Sequence, residues 1–308
     1  MERHRTHGGI VVGVDGSNSA QRALHWAAEE AVRRGTNLVV LHAWSVPDSV
    51  RPDHLDPAMF EAAGRTILKA ATAILAGQGH VTPPVRSLLI HDDAAPALLR
   101  AAQDAGLLVV GSRGRGGFVG LLLGSVSRRC VEHAPCPIAV VPSGSEPAGD
   151  GRVVVGVDGS QPSYDALHWA VAEAVDRNAR LDVVNAYHYH LRVTPFVPVA
   201  AVDRDELDKA SRALLEEMVA GALGRGEPQP PDVQLIACAS PAARALLETA
   251  DGADLLVVGS RGRGASRGTL LGSVSQQCVH HASCPVVVVH PRRAICGDDR
   301  PKAGAGGG

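Results

Sequence analysis

Short apolar runs alternate with stretches of helical period along most of the chain. Residues 10–14, Ile-Val-Val-Gly-Val, are a β-branched run suited to a strand buried on both faces. Ala23, Trp26, Ala27 and Ala31 then recur at helical spacing within residues 20–34, and Gly35 supplies a stop signal. The same pattern predicts strands at 38–41, 85–90, 107–110 and 138–141, with helices at 56–75, 95–105 and 125–133. Five further strands are predicted at 153–157, 181–184, 233–236, 255–258 and 286–289. Strands that alternate with helices and are apolar on both faces predict an α/β fold with a parallel sheet covered on both sides. Right-handed crossovers then narrow the topology to the doubly wound type.

The order of elements repeats because the sequence does. Val11 to Ser17 returns as Val154 to Ser160, so that Asp15 recurs as Asp158, 143 positions on. Leu107 to Gly116 returns as Leu255 to Gly264, now 148 positions on, and Cys136-Pro137 recurs as Cys284-Pro285 at the same shift. A period of that size is a domain, too long for a solenoid unit. The expected organisation is a first domain at 1–142, a linker at 143–151 rich in Pro, Ser and Gly, a second domain at 152–290 and a disordered tail at 291–308.

Composition narrows the partners. The 308 residues carry 30 Lys and Arg against 32 Asp and Glu, a formal net charge of −2, and only 3 % are aromatic. Near-neutral charge and scarce aromatics argue against nucleic acid, and against a membrane surface, as a general partner. No apolar run approaches the roughly 20 residues that span a bilayer. The charged N-terminus lacks the apolar core of a secretory signal. Six cysteines without a Cys-x-x-Cys pair do not form a disulfide framework, so a cytoplasmic location is expected.

In doubly wound sheets ligands bind at the carboxyl ends of strands, where the winding reverses. The first strand of each copy ends in Val-Asp-Gly-Ser. The fourth runs into Gly111-Ser112-Arg113-Gly114-Arg115-Gly116-Gly117, with Gly124-Ser125 where the next helix starts. Such a loop leaves backbone N–H groups open to phosphate oxygens, and a helix N-terminus adds donors and partial positive charge. No Gly-Lys-Ser or Gly-Lys-Thr occurs, so the loop is not a Walker A motif. Asp15 and Asp158 suit a helix cap or turn as well as a ligand contact. His25-Trp26 and His168-Trp169 read as packed helix faces. His91-Asp92-Asp93 has no counterpart in the second copy and reads as a solvated loop. The paired cysteines 130/136 and 278/284 fit no common zinc spacing and read as packing residues. No metal ligand set and no catalytic residue is assigned.

Gly111-x2-Gly114-x9-Gly124-Ser125 and Gly259-x2-Gly262-x9-Gly272-Ser273 resemble the nucleotide motif of ATP-binding universal stress proteins. The Val-Asp-Gly-Ser opening, the Leu-Leu-Gly-Ser-Val-Ser stretches at 122–127 and 270–275, and the closing Cys-Pro before an apolar strand are similar too. The resemblance covers residues 9–142 and 152–290, a tandem form of the actinobacterial type. It implies two Rossmann-like domains, each a five-stranded parallel sheet, with ATP in each and Mg2+ bridging the phosphates. In the first half it assigns Gly111, Ser112, Arg113, Gly114, Arg115, Gly116 and Gly117 to phosphates and ribose. Gly124, Ser125 and Val126 would hold the outer phosphates, Gly13 and Asp15 would lie beside ribose, adenine or metal, and Ala43 would meet the adenine edge. The second set is Gly156, Asp158, Ala186, Gly259, Ser260, Arg261, Gly262, Arg263, Gly264, Ala265, Gly272, Ser273 and Val274. Nucleotide-dependent regulation in stress response or growth arrest is the implied role; a slow ATPase or nucleotide-dependent transferase is the alternative. The fifth strands are implied self-association edges, for an intrachain pseudo-dimer and for a homodimer.

Overall fold

Local chemistry starts the helices where the period predicts them. The computed structural model describes residues 8–46, 56–77, 82–114, 123–144, 149–187, 204–224, 228–264 and 270–291. Helix α1 (Asn18–Arg33) is capped by Ser17, whose side chain accepts the Ala20 N–H. Its counterpart α5 (Gln161–Arg177) is capped by Ser160 in the same way, through the Ser163 N–H. Asp56 caps α2 (Pro57–Ala76), and Pro57 occupies the first turn, where its missing N–H costs nothing. The remaining helices are α3 (Ala94–Ala101), α4 (Ser125–His133), α6 (Arg204–Ala222), α7 (Ala242–Thr249) and α8 (Ser273–His281).

The strands are β1 (Ile10–Gly13), β2 (Leu38–Trp44), β3 (Val85–His91), β4 (Leu107–Gly111), β5 (Ile138–Val141), β6 (Arg152–Gly156), β7 (Arg180–Ala186), β8 (Val233–Cys238), β9 (Leu255–Gly259) and β10 (Val286–Val289). They form one ten-stranded sheet in the order β3-β2-β1-β4-β5-β10-β9-β6-β7-β8. Within each half all pairs are parallel in a 3-2-1-4-5 order, the doubly wound arrangement. The halves meet at β5 and β10, which pair antiparallel with Ala139 opposite Val287.

Strands β2 and β7 run past their apolar runs, because pairing with β3 and β8 carries them on through His42 and Asn185. Helix α3 stops at Ala101, short of the expected 105, and the chain turns before β4. Successive strand residues face opposite layers. Val12, Val109 and Val257 pack under α1, α2, α5 and α6. Val11, Leu108, Val110 and Ile138 pack under α3, α4, α7 and α8. Cys130, Cys136, Cys278 and Cys284 belong to that second layer, and burial pushes each thiol up to about 12. No helix among the described residues is long and apolar enough to cross a membrane.

His290 follows β10 and is buried enough to be pH-sensitive. Burial holds its imidazole below the usual value, a backbone hydrogen bond with Val131 opposes this, and the charges of Arg261 and His133 add to the lowering. Its Nε2 has no hydrogen-bond partner among the described residues. The unfolded chain therefore binds a proton more readily than the folded one between the folded value and about 6.5, so stability falls as pH drops through that window. Urea midpoints taken from pH 7.5 to 5.5 are expected to decline with acid, and His290→Asn to flatten the decline. An unchanged slope in that variant would remove His290 as the cause.

Candidate functional site

In each half the winding reverses between β1 and β4, or β6 and β9, and the chain leaving these strands forms the candidate site. Gly16 and Gly159 turn it back toward the helix with φ of 82° and 78°, a left-handed conformation that a side chain would strain. Asp15 Oδ1 accepts the Ser17 N–H at 2.9 Å, so Asp15 shapes the turn while Ser17 is the cap. Asp158 repeats this with the Ser160 N–H at 3.0 Å and the Ser160 hydroxyl at 2.6 Å.

The second carboxylate oxygen reaches the glycine loop. The Arg263 N–H donates to Asp158 Oδ2 at 2.7 Å. Burial raises the Asp158 pKa, but the bonds from Ser160, Arg263 and Ser163 outweigh it and hold the carboxyl below its usual value. A Cβ at Gly114 or Gly262 would stand 2.5 Å from the Oδ2 of Asp15 or Asp158, so each glycine lets the aspartate and loop approach closely. Arg113 and Arg261 are exposed beside these glycines, and the Arg113 N–H donates to Ser19 Oγ at 3.3 Å.

The strand end and the following helix are tied together identically in both copies. The Gly124 N–H donates to the Ser112 carbonyl and the Gly272 N–H to the Ser260 carbonyl, each at 2.8 Å. Ser127 and Ser275 turn their hydroxyls inward to the Gly111 and Gly259 carbonyls at 2.6 Å. With glycine at the cap, neither α4 nor α8 has a side-chain cap. Their first amides, at Ser125 and Val126 and at Ser273 and Val274, are thus left for an anion or water. Ser112 Oγ bonds Ser143 Oγ at 2.9 Å, whereas the buried Ser260 Oγ has no partner among the described residues.

The structure thus gathers Asp15, Gly111, Ser112, Gly114 and Gly124 in one crevice, and Asp158, Gly259, Ser260, Gly262, Arg263 and Gly272 in its copy. Ala43 and Ala186 stand at the ends of β2 and β7 on the same side. Gly13 and Gly156 have a packing reason of their own: a Cβ there would meet Leu98 at 3.0 Å or Leu246 at 2.8 Å. Among the described residues, nothing lies within 4 Å of a Cβ at Gly264. Arg115, Gly116, Gly117 and Ala265 lie outside the described residues.

Four supporting residues escape the sequence patterns. In the sequence Ser127 and Ser275 stand out only as part of a repeated stretch. His42 Nδ1 donates to the Val14 carbonyl at 2.7 Å, and Asn185 Nδ2 does the same to Val157 at 2.7 Å. Because histidine answers asparagine there, comparing the copies conceals the shared role. His91, Asp92 and Asp93 go separate ways: His91 stacks on Trp44, Asp92 pairs with Arg100, and Asp93 accepts from Ser45. No group of three or more His, Cys, Asp or Glu suited to a metal occurs among the described residues.

A duplicated doubly wound domain with a glycine loop at each switch point is the class these features define. The universal stress protein family model matches residues 8–142 and again 151–290. A universal stress protein of Mycobacterium tuberculosis strain H37Rv is 34 % identical over 297 residues, covering 94 % of this chain and 99 % of its own. Another, from Mycolicibacterium smegmatis, is 35 % identical over 306 residues, covering 95 % and 100 %. The chain belongs to the universal stress protein family, in tandem form. Its fold resembles that of a universal stress protein from Archaeoglobus fulgidus, with a TM-score of 0.68 at 20 % identity over 94 % of this chain and 100 % of the other.

Proposed function

We propose that each half binds one ATP and that occupancy of the two sites regulates the chain's behaviour in stress or growth arrest. The observation that carries this is the uncapped start of α4 and α8 beside a glycine-lined loop, present twice. Helix amides and glycine backbone together suit the triphosphate, which needs several close N–H donors and tolerates no intervening side chain. Asp15 and Asp158 are the carboxylates that reach the loop, and Asp158 already accepts from Ser160 and Arg263. With three hydrogen bonds already accepted, two from Ser160 and one from Arg263, Asp158 keeps about one lone pair, so Mg2+ in the second half would be held chiefly by phosphate oxygens and water.

The test combines extraction and melting. Heat-denatured, ATP-saturated protein is expected to release about two adenine nucleotides per chain, one for each repeat. ATP at a hundredfold excess over Kd should stabilise folding by about 2.7 kcal/mol per site. Ser125→Glu with Ser273→Glu places a negative charge at each exposed helix start, which favours the helix but repels phosphate. That variant should keep its fold and lose the ATP-induced shift. Absence of both released nucleotide and shift in the unmodified chain would overturn the reading.

A further inference from the structure

Away from both crevices, α1 crosses α5 through a buried charged ring that joins the halves. Glu30 and Glu173, 0 % and 2 % exposed, sit at opposite corners. Arg34 bonds Glu30 through Nε and Glu173 through Nη2 at 2.6 Å. Arg177 mirrors it, bonding Glu173 through Nε and Glu30 through Nη2, both at 2.6 Å. The guanidinium of Arg34 lies over Trp169 and that of Arg177 over Trp26, closing the arrangement across an approximate two-fold axis. Trp26, Glu30 and Arg34 have their counterparts 143 positions on in Trp169, Glu173 and Arg177.

One position breaks this symmetry. Arg33 donates to Glu30 and stands 4.0 Å from Glu173, but its counterpart is Asp176, three residues after Glu173 and one before Arg177. The α1 face, with Glu30, Arg33 and Arg34, therefore carries one net positive charge. The α5 face, with Glu173, Asp176 and Arg177, carries one net negative charge. Paired as in the chain they cancel. Two α1 faces together would hold an excess of two positive charges, and two α5 faces an excess of two negative ones. Arg33 is 27 % exposed, so water screens part of its charge, but it stands against the dry Glu30–Glu173 pair, where an uncompensated charge is costly.

The strand contact alone does not make that choice. β5 is Ile-Ala-Val-Val and β10 is Val-Val-Val-Val, both buried apolar edges held by backbone bonds. Either could pair with its own copy from a second chain. From this we infer that Arg33 and Asp176 are partner-selecting residues: they make the first half's interface accept a second-half face and reject a copy of itself. Selection here works by a repulsive element against the wrong pair as well as by attraction within the right one.

The full-length chain tests this through Arg33→Asp, Asp176→Arg and the double exchange. Arg33→Asp makes both faces negative and Asp176→Arg makes both positive, while the exchange restores neutrality with reversed signs. Hydrogen exchange of the β5 and β10 amides, followed by mass spectrometry, reads how often the halves part. Each single variant should lose protection there by about tenfold, and the exchange should return it to within about threefold of the starting protein. Light scattering should find the exchange variant in the same oligomeric state as the original. Losses in the exchange variant equal to the sum of the two singles would overturn the assignment, as would singles that protect these strands normally. Arg33→Gln and Asp176→Asn, which remove charge without reversing it, should give intermediate losses even if a reversal variant fails to fold.

Discussion

Replacing Glu30 with alanine is expected to lower the unfolding free energy by about 3–5 kcal/mol, the usual cost of removing one member of a buried, hydrogen-bonded ion group. Burial works against ionising either carboxylate of the α1–α5 ring. At Glu30 the charges of Arg34, Arg177 and Arg33 outweigh burial and hold the carboxyl below its usual range. At Glu173 burial and the neighbouring Glu30 charge prevail and hold it above. Without Glu30, three guanidinium groups would face Glu173 alone, two of them already drawn from water by the tryptophans. Urea unfolding of the full chain measures the loss. A value below about 1 kcal/mol would class the ring with solvated surface pairs. Exchanging the whole ring for apolar residues (Glu30→Leu, Arg34→Met, Glu173→Leu, Arg177→Met) should cost far less than Glu30→Ala, because no stranded charge remains.

Gly111→Ala should be among the most damaging single methyl additions in the candidate sites. The added carbon would stand 2.8 Å from the backbone of Ser19, where the first turn of α1 crosses the end of β4. Backbone cannot swing aside as a side chain can, so α1 or β4 must shift, at about 2–3 kcal/mol. Gly259→Ala meets the carbonyl of Pro162 at 2.7 Å and should behave alike. Gly264→Ala, with nothing within 4 Å among the described residues, should change stability by no more than about 0.5 kcal/mol. Denaturation midpoints of the three variants separate glycines that the fold requires from those the loop leaves free. Equal midpoints would remove the crossing contact as the reason for Gly111.

The glycines looked equivalent in the sequence because a motif records identity and spacing, not what each residue faces. Gly111 and Gly259 lie under a crossing helix, Gly13 and Gly156 under a leucine, and Gly114 and Gly262 against an aspartate. A ligand needs only some of these spaces. Asp15 and Asp158 were likewise open between cap, turn and ligand. The bond to the Ser17 or Ser160 amide shows the turn, and the serine supplies the cap. The inward hydroxyls of Ser127 and Ser275 are not legible in the sequence, because a serine in the first turn of a helix reads as a solvent-facing residue.

Periodicity, punctuation and repetition are local properties, and they carried the α/β class, the two copies and the position of each glycine loop. A buried strand must be apolar on both faces and a helix must show its stripe, whatever lies beyond, so those features are legible in a single chain. The antiparallel join of β5 to β10 is different. It depends on which of several apolar edges meet, and backbone pairing leaves no signature in either strand. The Glu30–Arg34–Glu173–Arg177 ring is less visible still, since its four members look like solvated charges on two separate helices. Only the packing of α1 on α5 takes them out of water together, and that packing turns the Arg33–Asp176 difference between the copies into a choice of partner.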